Sequence, residues 1–328
     1  MVSRVDAVLE INGLRKTYRS AFKGPHRAVD GLDMRVEQGQ IHGFLGPNGS
    51  GKTTTLRTLL GLVRPNSGRM TLLGREVPSA LPEVAGHIGA IVEAPRFFGN
   101  FSGRRTLRIL ARAGGVRRAR VEEVLELVGL RDRAGDRVKT YSLGMKQRLA
   151  VASALLKAPR LLILDEPANG LDPAGIREMR DLMRGLVEHG TTVVLSSHIL
   201  GEVQQICDSV TIISRGRRVA HGAVDSVLRA QDKGEFLIRV ADHERAAQTL
   251  RHAGFQITTE RDHLMARGVA DPAIITETLA AHKMWISELT PQRPDLESVF
   301  LQLTGTVPEP GVTRQVGESA AAFGHGAK

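Results

Sequence analysis

Gly46-Pro47-Asn48-Gly49-Ser50-Gly51-Lys52-Thr53 fits the pattern G-x-x-x-x-G-K-[ST], and the fold is read outward from it. The apolar run Ile41-His42-Gly43-Phe44-Leu45 precedes it, and a helical run from Thr54 to Leu60 follows. Each residue type has a physical reason. Glycines let the backbone curl until its N–H groups face phosphate oxygens. The helix N-terminus adds a partial positive charge. Lys52 reaches the β- and γ-phosphates of a nucleotide, and Thr53 offers its hydroxyl to Mg²⁺. The plainer alternative is a glycine-rich turn ahead of a helix; the flanking strand and helix tell against it.

Downstream, Leu161-Leu162-Ile163-Leu164-Asp165-Glu166-Pro167 reads as an apolar strand ending in two carboxylates. In phosphoryl transfer an Asp at this place holds Mg²⁺, directly or through water. The next carboxylate, Glu166, is placed to orient and deprotonate an attacking water. Thr192-Val193-Val194-Leu195 and Val210-Thr211-Ile212-Ile213 are further apolar runs. Continuous apolar strands belong in sheets covered on both faces. With helical patterns between them, they predict an α/β core.

The chain has 328 residues, which at roughly 150 per domain suggests about two domains. Hydrophobic residues at 41% and charged residues at 24% suit a globular protein with a real core. No apolar run approaches the ~20 residues needed to cross a bilayer. The start, Met1 to Asp6, lacks the apolar stretch of a secretion signal, so a cytoplasmic protein is expected. The single cysteine, Cys207, excludes an internal disulfide and reads as a small core residue. The net charge of +10 fits nucleic acid, an anionic membrane surface or a basic proteome. Aromatics at 4% leave few platforms for stacking bases, and no DNA-reading motif appears, so no nucleic-acid partner is expected.

Residues 1–222 read as one α/β domain of alternating short apolar runs and helical patterns, carrying a mostly helical insertion over about 79–156. Within it, Val121, Val124, Leu125 and Val128 share one helix face. From about Gly234 the order changes to strand, helix, strand pair, helix, strand and last helix. This suggests a small α+β accessory domain over 223–305. Residues 306–328 are rich in Gly, Pro and Ala and read as a disordered tail.

The order of these motifs resembles the ABC ATPase family, over about residues 8–222. Between the phosphate loop and Asp165 lies Tyr141-Ser142-Leu143-Gly144-Met145-Lys146-Gln147-Arg148. It resembles the family signature LSGGQ, with Leu143 in place of the first glycine and Met145 in place of the glutamine. The resemblance implies that Ser142 and Gly144 face the γ-phosphate held by a second subunit. Asn169-Gly170-Leu171-Asp172 resembles the loop that communicates across the dimer. Ser196-Ser197-His198 resembles the switch segment whose histidine contacts γ-phosphate. Tyr18 resembles the aromatic residue that stacks on adenine; packing at a strand edge is the alternative. Glu93 stands where the family has a glutamine, as in the bacitracin- and multidrug-export subgroup. Two readings stand for it: approach to Mg²⁺, or a loop carboxylate facing water. Asp295-Leu296-Glu297-Ser298-Val299-Phe300-Leu301 resembles a C-terminal segment of daunorubicin-resistance-type export ATPases.

The resemblance implies an ATP- and Mg²⁺-dependent ATPase with two composite sites in a homodimer. It implies a separate integral membrane permease as partner, touching the insertion near residues 93–101, and a peripheral place on the cytoplasmic membrane face. Drug or antibiotic export is the expected work. The alternatives are a soluble ATPase acting on ribosomes or nucleic acid, and a resistance module without transport. Ribosome-acting relatives usually carry two cassettes per chain, and this chain carries one phosphate loop.

Overall fold

The computed structural model describes residues 7–20, 24–93 and 96–305; the tail expected over 306–328 lies outside them. Its first layer is an antiparallel sheet: β1 (Ala7–Ser20), β2 (Gly24–Glu37), β4 (Ser67–Leu72) and β5 (Arg75–Val77), in the order β2-β1-β4-β5. The second is a six-stranded sheet of β3 (Ile41–Leu45), β6 (Ile88–Ile91), β7 (Leu161–Asp165), β8 (Thr192–Ser197), β9 (Ser209–Ser214) and β10 (Arg217–Ala223). Its order is β10-β9-β3-β8-β7-β6, all parallel except β10.

The apolar runs form these strands because both sheet faces are covered, so no position needs to be polar. Phe44, Leu161, Ile163, Val194 and Ile213 point toward the antiparallel sheet and α1 (Lys52–Leu59). Ile41, Leu45, Leu162, Leu164, Val193 and Val210 point to the opposite face. There they meet α5 (Leu143–Leu155), α6 (Pro173–Glu188) and α7 (Leu200–Ile206). Each buried side chain of this size contributes about 1.5–3 kcal/mol. Cys207 is buried in this second core, as expected of a small core residue, and burial pushes its thiol pKa up.

The helical segment comprises α3 (Gly103–Ala113), α4 (Ala119–Leu127) and the start of α5, after a short α2 (Leu81–Val84). Val121, Val124, Leu125 and Val128 are all buried, as the helical spacing predicts. The range expected to be mostly helical nonetheless contains β6, which pairs with β7 and belongs to the central sheet. Ile88-Gly89-Ala90-Ile91 is too short for its period to separate a strand from a helix turn.

Beyond α8 (Val224–Arg229) comes a small unit: β11 (Phe236–Val240), α9 (His243–His252), β12 (Gln256–Thr259), β13 (Leu264–Arg267), α10 (Ala273–Ala281) and β14 (Ile286–Pro291). Its antiparallel sheet runs β12-β13-β11-β14 and has its own apolar core. The last helix, α11 (Leu296–Thr304), does not join that core, although the sequence reading grouped it there. Leu296, Val299 and Phe300 pack into the ATPase core, as do Val224 and Val227 of α8. An amphipathic helix shows which face is buried, not which partner buries it.

Candidate nucleotide site

The phosphate loop connects β3 to α1 and is shaped by glycines that have no room for a side chain. Gly51 caps α1 with φ 108°, and a Cβ there would collide with the Ala28 carbonyl. A Cβ on Gly46 would stand 2.5 Å from the Ile213 carbonyl oxygen. Because the left-handed Gly51 starts α1, Lys52 and Thr53 lie in its first turn, two residues earlier than the expected helix start.

Around the loop is a cleft of about 280 Å³ lined by Tyr18, His26, Ala28, the loop from Pro47 to Thr54, and Glu166. Ser50 Oγ is buried in the loop with no hydrogen-bond partner among the described residues. Lys52 is 6% exposed and donates to the Gly46 carbonyl at 2.7 Å. A buried ammonium requires a counter-charge. Glu166 provides it, with Oε1 3.6 Å from Lys52 Nζ. The other Glu166 oxygen, Oε2, is 2.6 Å from His198 Nδ1. Lys52, Glu166 and His198 therefore form one continuous polar chain.

Glu166 has φ 51°, a conformation that costs a non-glycine residue energy and needs surrounding structure to hold it. Its N–H donates to the carbonyl of Ser196 at 3.2 Å and to Ser196 Oγ at 3.0 Å. Ser196 Oγ in turn donates to Asp165 Oδ1. The ends of β7 and β8 thus lock both carboxylates together.

Thr53 Oγ1 donates to Asp165 Oδ2 at 2.9 Å. A hydroxyl and a carboxylate side by side are hard oxygen donors of the kind Mg²⁺ takes, and Mg²⁺ keeps most of its other positions for phosphates and water. The pair therefore fits that ion. Among the described residues no group of three His, Cys, Asp or Glu side chains lies together as a metal site.

Tyr18 is 39% exposed at the end of β1, and its ring faces the cleft with Lys16 Nζ 5.0 Å from its centroid. His26 is its cross-strand partner and lines the same cleft, as does Ala28. Neither was singled out in the sequence; only the pairing register places them there.

The structure keeps Ser142, Gly144 and Asp172 away from this cleft. Ser142 is exposed and caps α5, its hydroxyl accepting from Met145 N–H at 3.2 Å. Asp172 is exposed and caps α6, accepting from Gly175 N–H at 3.0 Å. The start of α5 lies on the loop before α6, with Leu143 against Gly170. Glu93, with φ 83°, is paired with Arg57 at the end of α1. It also lines a second cleft with Leu143, Gln147, Asp165 and Glu166. It is exposed there, and its ion pair is with Arg57, while Thr53 is the hydroxyl that bonds Asp165. The two residues after Glu93, part of the expected partner surface, lie outside the described residues.

Residues 29–169 match the family model for the ABC transporter. An uncharacterized ABC transporter ATP-binding protein, YhcH of Bacillus subtilis, is 38% identical over 92% of this chain and 97% of its own length. The bacitracin transport ATP-binding protein BcrA of Bacillus licheniformis is 38% identical over 92% and 98%. The daunorubicin resistance ATP-binding protein DrrA3 of Streptomyces coeruleorubidus is 36% identical over 92% and 96%. Among solved structures, cbiO1 from Clostridium perfringens, part of the ABC transporter complex cbiONQ, superposes with a TM-score of 0.62 at 27% identity, covering 69% of this chain and 92% of that one. Phosphate loop, paired carboxylates and His198 therefore sit in a cassette of known kind: this chain belongs to the ATP-binding subunits of ABC transporters, and it is an ATPase.

Proposed function

We propose that this ATPase powers export of a drug or antibiotic through a separate membrane permease, hydrolysing ATP at two composite sites of a homodimer. The observation that carries the site reading is the polar chain Lys52–Glu166–His198, two members of which, Lys52 and Glu166, line the cleft around the phosphate loop. Support for export comes from relatives named for bacitracin transport and daunorubicin resistance, which align across the accessory unit as well as the cassette.

In this reading adenine stacks on Tyr18, and the phosphates lie along the backbone N–H groups from Asn48 to Thr54. Lys52 leaves the Gly46 carbonyl for the β- and γ-phosphates. Thr53 and Asp165 would hold Mg²⁺, directly or through water, and the ion would supply positive charge against the phosphates. Glu166 accepts the proton of the water that attacks the γ-phosphorus, while the bond to the bridging β–γ oxygen breaks. His198 donates to a γ-phosphate oxygen and is oriented for this through its Nδ1 contact with Glu166.

One wall of the site is missing in a single copy. Ser142 and Gly144 lie at the N-terminus of α5, whose dipole favours an anion, yet they face away from their own cleft. They supply the missing wall to the partner protomer. ATP closes the pair and hydrolysis opens it, which does work only if another component distinguishes the two states. That component is an integral membrane protein in this reading, supported by the relative named for bacitracin transport; among the described residues of this chain no helix is long and apolar enough to cross a membrane itself. Its contact lies near residues 93–101, so the chain works on the cytoplasmic membrane face. We assign the cassette to residues 1–222 together with α8 and α11, and the accessory unit to the segment between them.

Isolation of the tagged chain from detergent-solubilised membranes of its source cell tests this. A co-isolated polytopic membrane protein whose presence changes the ATPase rate is the expected result. Ribosomal RNA or DNA in its place, with ATPase activity responding to nucleic acid, overturns the export reading.

A further inference from the structure

The switch histidine is followed almost at once by α7, a helix of seven residues. A helix that short is marginal on its own. Its N-cap, Ile199, makes no side-chain cap bond. The place of α7, and the aim of His198 just before it, must therefore come from neighbours.

Two neighbours hold it. From α6, Arg180 pairs with Glu202, and Arg184 Nη2 donates to the Gln205 carbonyl at 2.5 Å. From the far end of the chain, α11 lies along it. The Leu296 N–H, one of the donors a helix start leaves unpaired, donates to Gln204 Oε1 at 2.7 Å. Leu296 and Val299 are fully buried and Phe300 nearly so, in one cluster with Leu200, Val203 and Cys207.

We propose that α11, acting through Gln204, Leu296 and Phe300, is a brace that holds α7 and so aims His198 at Glu166. These are positioning residues for hydrolysis and touch no substrate. The inference rests on the reading that His198 and Glu166 act in hydrolysis. It also gives the accessory unit a line to the active site, because that unit is strung between α8 and α11. A displacement of the unit pulls on the brace.

Phe300→Ala tests this, with kcat, KM, ATP affinity and amide exchange over residues 198–206 read together. A misplacement of about 1 Å can cost on the order of 100-fold in rate. The expectation is a fall in kcat of about ten-fold at nearly unchanged ATP affinity, with faster exchange in α7. Phe300→Leu restores most of the loss. In a His198→Ala background, Phe300→Ala has no further effect. If Phe300→Ala does not fold, Gln204→Met removes only the acceptor and is read the same way. Full kcat despite faster α7 exchange overturns the proposal, as does an undiminished effect in the His198→Ala background. Wild-type turnover by His198→Ala alone contradicts instead the role of His198, a separate failure.

Discussion

Replacing Glu166 by Gln keeps the size of the side chain and removes its charge and its basicity. Two effects follow from its contacts. The variant loses the acceptor for the water's proton, and a positioned base is worth about 10²–10⁴-fold. At 1.36 kcal/mol per decade, that is about 2.7–5.4 kcal/mol on the barrier. It also loses the anion that stands 3.6 Å from Lys52 Nζ. Lys52 is then freed from a competitor for the phosphates, so ATP affinity is retained or improved. The backbone should not shift, because the strained φ of Glu166 is held by Ser196 through the main chain rather than through the carboxylate. The assay is single-turnover ATP hydrolysis alongside binding of a fluorescent nucleotide. A variant that binds ATP and turns it over 10²–10⁴-fold more slowly fits the account. Near-normal turnover would falsify the assignment of Glu166 as the base.

Lys52→Ala should lose ATP binding itself, measured by nucleotide fluorescence; unchanged affinity would rule out its phosphate role. Tyr18→Ala should weaken ATP by about 1–3 kcal/mol, the usual worth of base–aromatic stacking, and should weaken inorganic triphosphate not at all. Equal losses for both ligands would place Tyr18 at the strand edge instead. Stability should also fall with acid through His42. Its ring is buried, accepting or donating to Ser209 Oγ at 2.7 Å and Thr211 Oγ1 at 2.8 Å, and Thr211 continues to His221. Burial first, and then His221, push its pKa down to about 3. The unfolded chain therefore takes up the proton near the ordinary value of about 6.5, before the folded one does. Stability is complete above that value and is lost as pH falls toward 3, by up to about 1.4 kcal/mol per pH unit. Urea melts of wild type and His42→Asn from pH 8 down to 5 check this; an equal pH slope in both contradicts it.

How much of the molecule could be read in advance follows from local physics. The phosphate loop, Asp165, Glu166 and His198 lie at strand ends whose apolar runs are unmistakable, and the structure brings all of them together. The antiparallel sheet was not legible. Its first strand pair shifts register between Ile11 and Leu14 and again between Lys16 and Thr17. Those bulges break the two-residue alternation that marks a half-buried strand. Tyr18 could therefore be placed only by resemblance, and its neighbours His26 and Ala28 were missed. Glu93 illustrates a different gap. Its contact with Arg57 crosses between α1 and the loop after β6, and no local pattern encodes such a pairing. For α11 the helix itself was legible as the last element of the chain, but its destination depended on the shape of the α7 surface.

The central claim is that one chain holds half of each hydrolytic site. Specific Mg²⁺-dependent ATPase activity, measured across a range of protein concentrations that spans the monomer–dimer transition, tests it most directly. The account predicts activity per chain that rises with concentration and levels off as dimers fill. Constant activity per chain down to concentrations at which only monomers remain would contradict it.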